Sequence, residues 1–241
     1  LNVVSSWWKD EATQYGIPFD SHDARYSRTE EWLAVVDGLW RQRQFTFSGR
    51  HYQIERALLS PKPLRKPRPT IYAGGESEAA KNLIARDADA YVMHGDPPEK
   101  VAEKIADMKQ RRERLSPSAP PLQIGVAGYV VCRHSEDAVR REMERITNVR
   151  ASSAHYSNYE QWLAGTQLEG KLSLEDYSVS NRGLRSGLTG TPERIAERLD
   201  KFARAGVDLT LLQFSPQEEE MERFGEEVIP LVGSKAGNAV T

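Results

Sequence analysis

LNVVS opens the chain with an apolar, β-branched run that passes straight into polar residues, the pattern of a buried strand feeding a loop. Beyond that loop, which extends to Arg25 and Tyr26, Ser27 to Trp40 carries apolar residues at helical spacing, with Trp32, Val35, Val36, Leu39 and Trp40 on one predicted face. FTFSGRHYQI alternates around Ser48-Gly49 and predicts a hairpin, while SPKPLRKPRP predicts an extended, solvated basic connector. TIYAGG predicts a short strand ending in paired glycines, and SEAAKNLIARDA the helix that follows it. AYVMHG and IGVAGYVVC predict further strands, each followed by a helix: PPEKVAEKIADMKQRRERL with prolines at its start, and SEDAVRREMERI with Ser135 as cap. TPERIAERLDKFARAG combines Thr191 as cap, Pro192 at the first position and Gly206 as stop. VDLTLLQF predicts the last strand and PQEEEMERFGEEVIPLV a closing helix.

Strands are therefore expected at 1–5, 70–73, 90–94, 124–132 and 207–214. Strand-then-helix repetition implies parallel strands joined by right-handed crossovers. Two architectures accommodate this order: the second half of a (β/α)8 barrel with LNVVS as its fourth strand, or a five-stranded open doubly wound sheet. Residues 148–190 have weak periodicity and many Ser, Gly, Asn and Tyr, so they predict an insertion or flap before the last strand, within a single domain over 1–241.

Composition narrows the function classes. A length of 241 residues suffices for one α/β domain, and a net charge of −2 supplies no basic field for nucleic acid or an anionic membrane. The apolar runs are too short for a transmembrane helix. The single cysteine, Cys132, excludes an internal disulfide and predicts a reducing, cytoplasmic setting. The five histidines show no metal-ligand spacing, so no metal is expected. GxSxG, Walker and HExxH motifs are absent from the sequence, which argues against hydrolase, NTPase and metalloprotease chemistry.

Ligands of βα folds meet the loops after the strands. Gly74-Gly75-Glu76-Ser77 lies where a strand gives way to a helix start, a place that favours a phosphate. Ser77 is equally well read as a helix cap beside a tight turn. His94 and Tyr129 end or lie in strands and can face a pocket, His94 as a catalyst or as a packed or solvent-facing residue and Tyr129 as a wall or an acid. Asn181, Arg182 and Arg185 sit in NRGLRSGLTG, either to hold an anionic or strongly dipolar substrate or as solvated charges. Trp7 and Trp8 either wall a flavin or a small apolar pocket, or pack under the loop.

LNVVSSWW, HDARY and YAGGESEAA, together with FTFSGRHYQI, HGDPPEKV, GTPERIAERL and the ending LLQFSPQEEEMERFGEEVIPLV, resemble the bacterial luciferase-like flavin monooxygenases in order and spacing. Within that superfamily the chain resembles the alkanesulfonate and dimethyl sulfone monooxygenase branch. The resemblance implies a TIM barrel, here strands 4–8, with three further strands before LNVVS. Without those strands an unpaired edge would be left. It implies FMN, used as FMNH2 supplied by a separate NAD(P)H:FMN reductase, with O2 as co-substrate. A flavin (hydro)peroxide then cleaves a C–S bond of a sulfone or alkanesulfonate. A homodimer or homotetramer is the implied assembly.

By the same resemblance, Asn2 matches an asparagine beside the flavin ring and oxygen, and is counted with His94 and Tyr129 as catalytic. Tyr26 matches a tyrosine reaching the flavin phosphate, with Arg25 and His22 beside it, and Ala73, Gly74, Gly75, Glu76 and Ser77 match the phosphate loop. Trp7, Asn181, Arg182 and Arg185 are assigned to the substrate and flap. Alkanesulfonate members carry an arginine and a histidine where this chain has Ala127 and Tyr129, a departure that favours a neutral substrate. The alternatives are an F420-dependent member, a non-sulfur substrate, or an inactive flavin-binding scaffold.

Overall fold

The computed structural model describes residues 1–5, 8–148, 159, 173 and 183–233. Trp7, Asn181 and Arg182, and most of the 148–190 insertion, lie outside the described residues. The chain divides into two compact units, one holding Leu1–Tyr91 and Met108–Leu122, the other holding Val92–Asp107 and most of the chain from Gln123 onward.

In the first unit, β1 (Asn2–Val3) pairs in parallel with β4 (Tyr72–Ala73), which pairs in parallel with the start of β5 (Ala90–Met93). Asn2 stands opposite Tyr72 and Val3 opposite Ala73, so the predicted first three strands are present but short. Asp89 fixes the entry to β5: one of its oxygens accepts the Ile71 N–H at 2.8 Å, and Arg68 pairs with the same carboxylate. Arg68 also lies 2.7 Å from Asp37, and Lys62 donates to the carbonyls of Leu39 and Gln42. The basic connector is thus extended as expected, but it is not simply solvated. Two of its cations pin it to α2 (His22–Arg41), while Leu64, Arg65 and Lys66 stay exposed.

Two elements depart from the sequence expectation. The segment read as loop contains a short helix, α1 (Lys9–Gln14). α2 begins at His22 rather than Ser27, because Ser21 accepts the Ala24 N–H at 3.4 Å and caps it. Its buried face is also rotated from the expected one: Leu33, Val35 and Gly38 are buried, whereas Trp32, Val36, Leu39 and Trp40 are half-buried. At Gly38 a Cβ would fall 2.2 Å from the Phe45 ring, which rests on the bare backbone. Phe45 begins β2 (Phe45–Ser48), which with β3 (Gln53–Ala57) forms the expected antiparallel hairpin. Glu31 of α2 holds the hairpin turn by accepting N–H bonds from Arg50, His51 and Tyr52 at 2.8, 2.7 and 3.1 Å.

α3 (Glu78–Asp87) packs Ala80, Leu83, Ile84 and Ala85 inward. The C-terminal part of α4 (Pro98–Leu115) contributes Arg112, a buried guanidinium that donates to the carbonyls of Ala85, Ala88 and Pro120. Burial pushes Arg112 below its ordinary value.

The second unit is built on β6 (Gln123–Tyr129), parallel to β9 (Leu209–Gln213), with Gly125 opposite Leu209 and Tyr129 opposite Gln213. The predicted strand 124–132 breaks at Val130. The Val130 N–H still bonds Gln213, but Val131 turns to the Leu188 carbonyl, and β7 (Val131–Cys132) then pairs with β8 (Thr189–Gly190). α5 (Glu136–Thr147) is capped by Ser135, and α6 (Pro192–Ala205) is capped by Thr191 and closed by Gly206 at φ 100°, as the sequence predicts. The closing helix runs as α7 (Gln217–Arg223), then a π turn over Phe224–Val228 and a 3-10 turn over Ile229–Leu231. Among the described residues no helix is long and apolar enough to cross a membrane.

Candidate functional site

The exits of β1 and β4 lie side by side, because the Gly74 N–H donates to the Val3 carbonyl at 3.4 Å. Side chains alternate along the first strand: Val3 and Ser5 are buried, and Asn2 and Val4 are exposed. Ser5 is tied to α2 by a 2.7 Å hydroxyl–hydroxyl bond to Thr29. Asn2, Val4, Arg28, Thr29, Trp32 and Tyr52 line a pocket beside the strand.

Beyond β4 the backbone makes an approach that glycine alone allows. Gly75 has φ 149°, and a Cβ there would meet the Ala80 methyl at 2.6 Å and the Tyr26 hydroxyl at 3.2 Å. Tyr26 of α2, Gly75 and the first turn of α3 therefore converge at one point. Ser77 is buried and its hydroxyl oxygen accepts the Ala80 N–H at 3.1 Å, so the capping reading of Ser77 holds. Capping uses an acceptor lone pair and leaves the hydroxyl proton as a donor. Glu78 places an acid in this first turn, where it would repel an anion. Arg111 offsets it with two 2.9 Å bonds, and that pairing keeps the Glu78 carboxyl below its ordinary value.

The other residues expected here hold different places. Arg25 is buried, donates to the Asp20 carbonyl and lies 4.4 Å from the centroid of the Phe19 ring, so these contacts brace the loop ahead of α2. His22 lies against Tyr26, with ring centroids 4.8 Å apart. Ala73 is 1% exposed beneath the turn, and Glu76 is half-buried within it.

A second group belongs to the other unit. His94 follows β5 and is half-buried. Tyr129 ends β6 and packs with Val131 and Val139, against which Met143, Ile146 and Leu184 also lie. Burial pushes its phenol above the ordinary value against an opposing hydrogen bond with Ser215. Arg185 is exposed on a 3-10 turn, Gly183–Ser186, with its guanidinium 3.9 Å from Asp96. Asp96 was not among the residues singled out in the sequence, although it lies inside the HGDPPEKV stretch that carries the resemblance. No group of three or more His, Cys, Asp or Glu side chains fit to hold a metal occurs among the described residues.

Comparison with known proteins bears on this arrangement. The family model described as luciferase-like monooxygenase matches residues 1–209. The FMNH(2)-dependent dimethylsulfone monooxygenase of Pseudomonas putida is 36% identical over 239 residues, covering 96% of this chain and 65% of that protein. This chain therefore spans slightly less than two thirds of that relative's length. Among solved structures, long-chain alkane monooxygenase superposes with a TM-score of 0.79 at 19% identity, over 98% of this chain and 62% of the other. EDTA monooxygenase from Chelativorans sp. BNC1 gives 0.78 at 18% identity, over 97% and 65%. These two likenesses are likenesses of fold, and the expected barrel class is borne out in preference to the open doubly wound sheet. The chain belongs to the luciferase-like monooxygenase family.

Proposed function

We propose that this chain belongs to an FMNH2-dependent monooxygenase of small, uncharged organosulfur compounds, with dimethyl sulfone as the type substrate. The observation that carries the flavin part is the convergence of the Tyr26 hydroxyl, Gly75 and the α3 N-terminus at one point. A bare glycine turn at a helix start, with a phenol directed at it, fits a phosphate monoester such as that of FMN. Tyr26 and Ser77 would donate to the phosphate oxygens, with the helix N-terminus behind them. Arg111 keeps the neighbouring Glu78 from opposing that charge. Asn2, exposed at the start of β1, would contact the ring system. When bound, reduced FMN supplies the two electrons with which O2 is activated.

The reaction balances as a C–S cleavage. Dimethyl sulfone, O2 and FMNH2 give methanesulfinic acid, formaldehyde, FMN and water, with one oxygen atom entering the substrate carbon and the other leaving as water. FMN must then be reduced again by a separate NAD(P)H-dependent reductase. The substrate class rests on the likeness to the Pseudomonas putida protein and on the uncharged pair Ala127 and Tyr129 in β6.

The test is formaldehyde and methanesulfinate formation from dimethyl sulfone with photoreduced FMN and O2, set against methanesulfonate in a parallel assay. Product from the sulfone and none from the sulfonate is the expected outcome. Turnover of the sulfonate alone, or of neither compound at saturating FMNH2, would contradict the proposal.

A further inference from the structure

Within the first unit, the turn from α1 into α2 walls a cavity of about 270 Å3. The sequence QYGIPF builds that wall. Gly16, at φ 66°, ends α1, and two backbone bonds close the helix over it. The Gly16 N–H donates to the Thr13 carbonyl at 3.1 Å, and the Ile17 N–H to the Ala12 carbonyl at 2.8 Å. Pro18 follows directly, where it cannot continue the helix. Ala12, Ile17 and Phe19 give the cavity an apolar side, and Tyr15 and Ile17, at 73% and 54% exposed, carry apolar surface out to solvent. Arg25 steadies the Phe19 ring, with its guanidinium 4.4 Å from the ring centroid.

Arg28, one turn further along α2, gives the cavity its polar end. The Asp20 carboxylate engages Nη2 of Arg28, and Nε meets no acceptor among the described residues. A guanidinium carries more donors than that one bond uses. Glu11 and Asp20 line the cavity together with Arg25 and Arg28, so the formal charges cancel. An anion would meet two carboxylates there, and a wholly apolar guest would leave the Arg28 donors unmet. We propose that this cavity is a binding site for a small uncharged sulfone, sulfoxide or ketone. Its apolar body rests against Ile17 and Phe19, and its oxygen accepts from the Arg28 guanidinium. The volume, just below the range of drug-sized ligands, limits the guest to a few carbons. The inference goes beyond the monooxygenase reading and does not rest on it, since the residues lining the cavity do not include Tyr26, Gly75 or Ser77.

The test is titration of the flavin-free whole chain with sulfolane, a cyclic sulfone, read by amide chemical shifts at residues 11–20 and 25–29. Saturable shifts at those residues are expected. Tetrahydrothiophene, the same ring without the sulfonyl oxygens, should bind at least about tenfold more weakly, the factor for losing a hydrogen bond to a charged group. Arg28→Met should weaken sulfolane about tenfold and leave tetrahydrothiophene within about twofold. Ile17→Ala changes a largely exposed side chain, so the fold should tolerate it, and it should weaken both rings about threefold. That variant decides the matter if Arg28→Met does not fold, with folding read from circular dichroism. Three results would each overturn the proposal: no saturable shift at those residues, methanesulfonate binding there as tightly as sulfolane, or sulfolane affinity unchanged in Ile17→Ala or in folded Arg28→Met. Because flavin is left out, none of these outcomes depends on whether the chain oxidises a sulfone.

Discussion

The Tyr26 hydroxyl lies over Gly75, so close that a Cβ on the glycine would be 3.2 Å from it. The two residues come from a helix and a strand exit far apart in sequence, and the family resemblance implies the flavin phosphate for both. If they form one phosphate site, replacing Tyr26 by Phe removes one charge-assisted hydrogen bond, worth about 1.5–3 kcal/mol. FMN affinity should fall roughly tenfold or more, while riboflavin, which lacks the phosphate, should bind the variant and the parent alike. Fluorescence titration with both flavins reads the difference.

Gly75→Ala is expected to be more damaging. Its φ of 149° is outside the range L-residues adopt readily, and the new methyl would sit 2.6 Å from the Ala80 side chain. Strain of this kind costs about 1–3 kcal/mol, so the denaturation midpoint should drop and FMN binding should be lost with it. A variant of parent stability with intact FMN binding would show that the turn does not need glycine.

Glu31 predicts an acid-sensitive hairpin. Burial raises its carboxyl, but the backbone N–H groups of His51, Arg50 and Tyr52 outweigh this and hold it below its ordinary value of 4.5. A depressed folded value means the contribution is complete above about 4.5 and is lost as the pH falls through the folded value. Amide exchange at residues 50–52 of the hairpin turn should accelerate relative to α2 below that pH, and Glu31→Gln should show the fast exchange already at pH 7. Exchange that is independent of pH in the parent would contradict this role.

The unreactive state of Cys132 is equally checkable. The side chain is fully buried, and burial, aided by the Glu227 carboxylate, pushes the thiol up to about 11. The thiolate is the nucleophile, so alkylation of the native protein at pH 8 should be slow and should become rapid on unfolding. Fast labelling of the native state would mean that β7 opens readily.

Close by, Glu220 is 5% exposed and is clamped by Arg133 at 2.7 Å and Arg223 at 2.8 Å, tying α7 to the residue after β7. Glu220→Ala removes the carboxylate shared by two partly exposed guanidiniums, leaving Arg133 with Glu142 and the Cys132 carbonyl, and Arg223 with the Cys132 carbonyl. The expected loss is therefore about 2–3 kcal/mol, below that of a fully buried pair. Thermal denaturation measures it, and an unshifted midpoint would remove the clamp from the account.

Strand positions and most helix starts were legible because their signals are local. Ser135 and Thr191 cap the helices they were expected to cap, Ser77 caps α3 as one of its two readings had it, and Gly206 closes α6 in the left-handed conformation. Errors arose where a distant partner decides. α2 begins earlier than its apolar spacing suggests because of Ser21, and Gly38 is buried because the Phe45 ring of the hairpin rests on it. The 124–132 strand divides because β9 ends and Leu188 offers a new carbonyl, which no periodicity within 124–132 reveals. The tight turn at Gly74-Gly75 and the helix start at Ser77 were legible from the residues themselves, whereas the approach of Tyr26 to that turn was suggested only through family resemblance.

The most direct measurement is an equilibrium titration of the parent chain with FMN and with riboflavin under identical conditions. A phosphate site built from Tyr26, Gly75, Ser77 and the start of α3 requires FMN to bind at least about tenfold more tightly, with the preference collapsing in Tyr26→Phe combined with Ser77→Ala. Equal affinity of the parent for the two flavins would mean that this turn does not hold a phosphate, and the flavin assignment would fall with it.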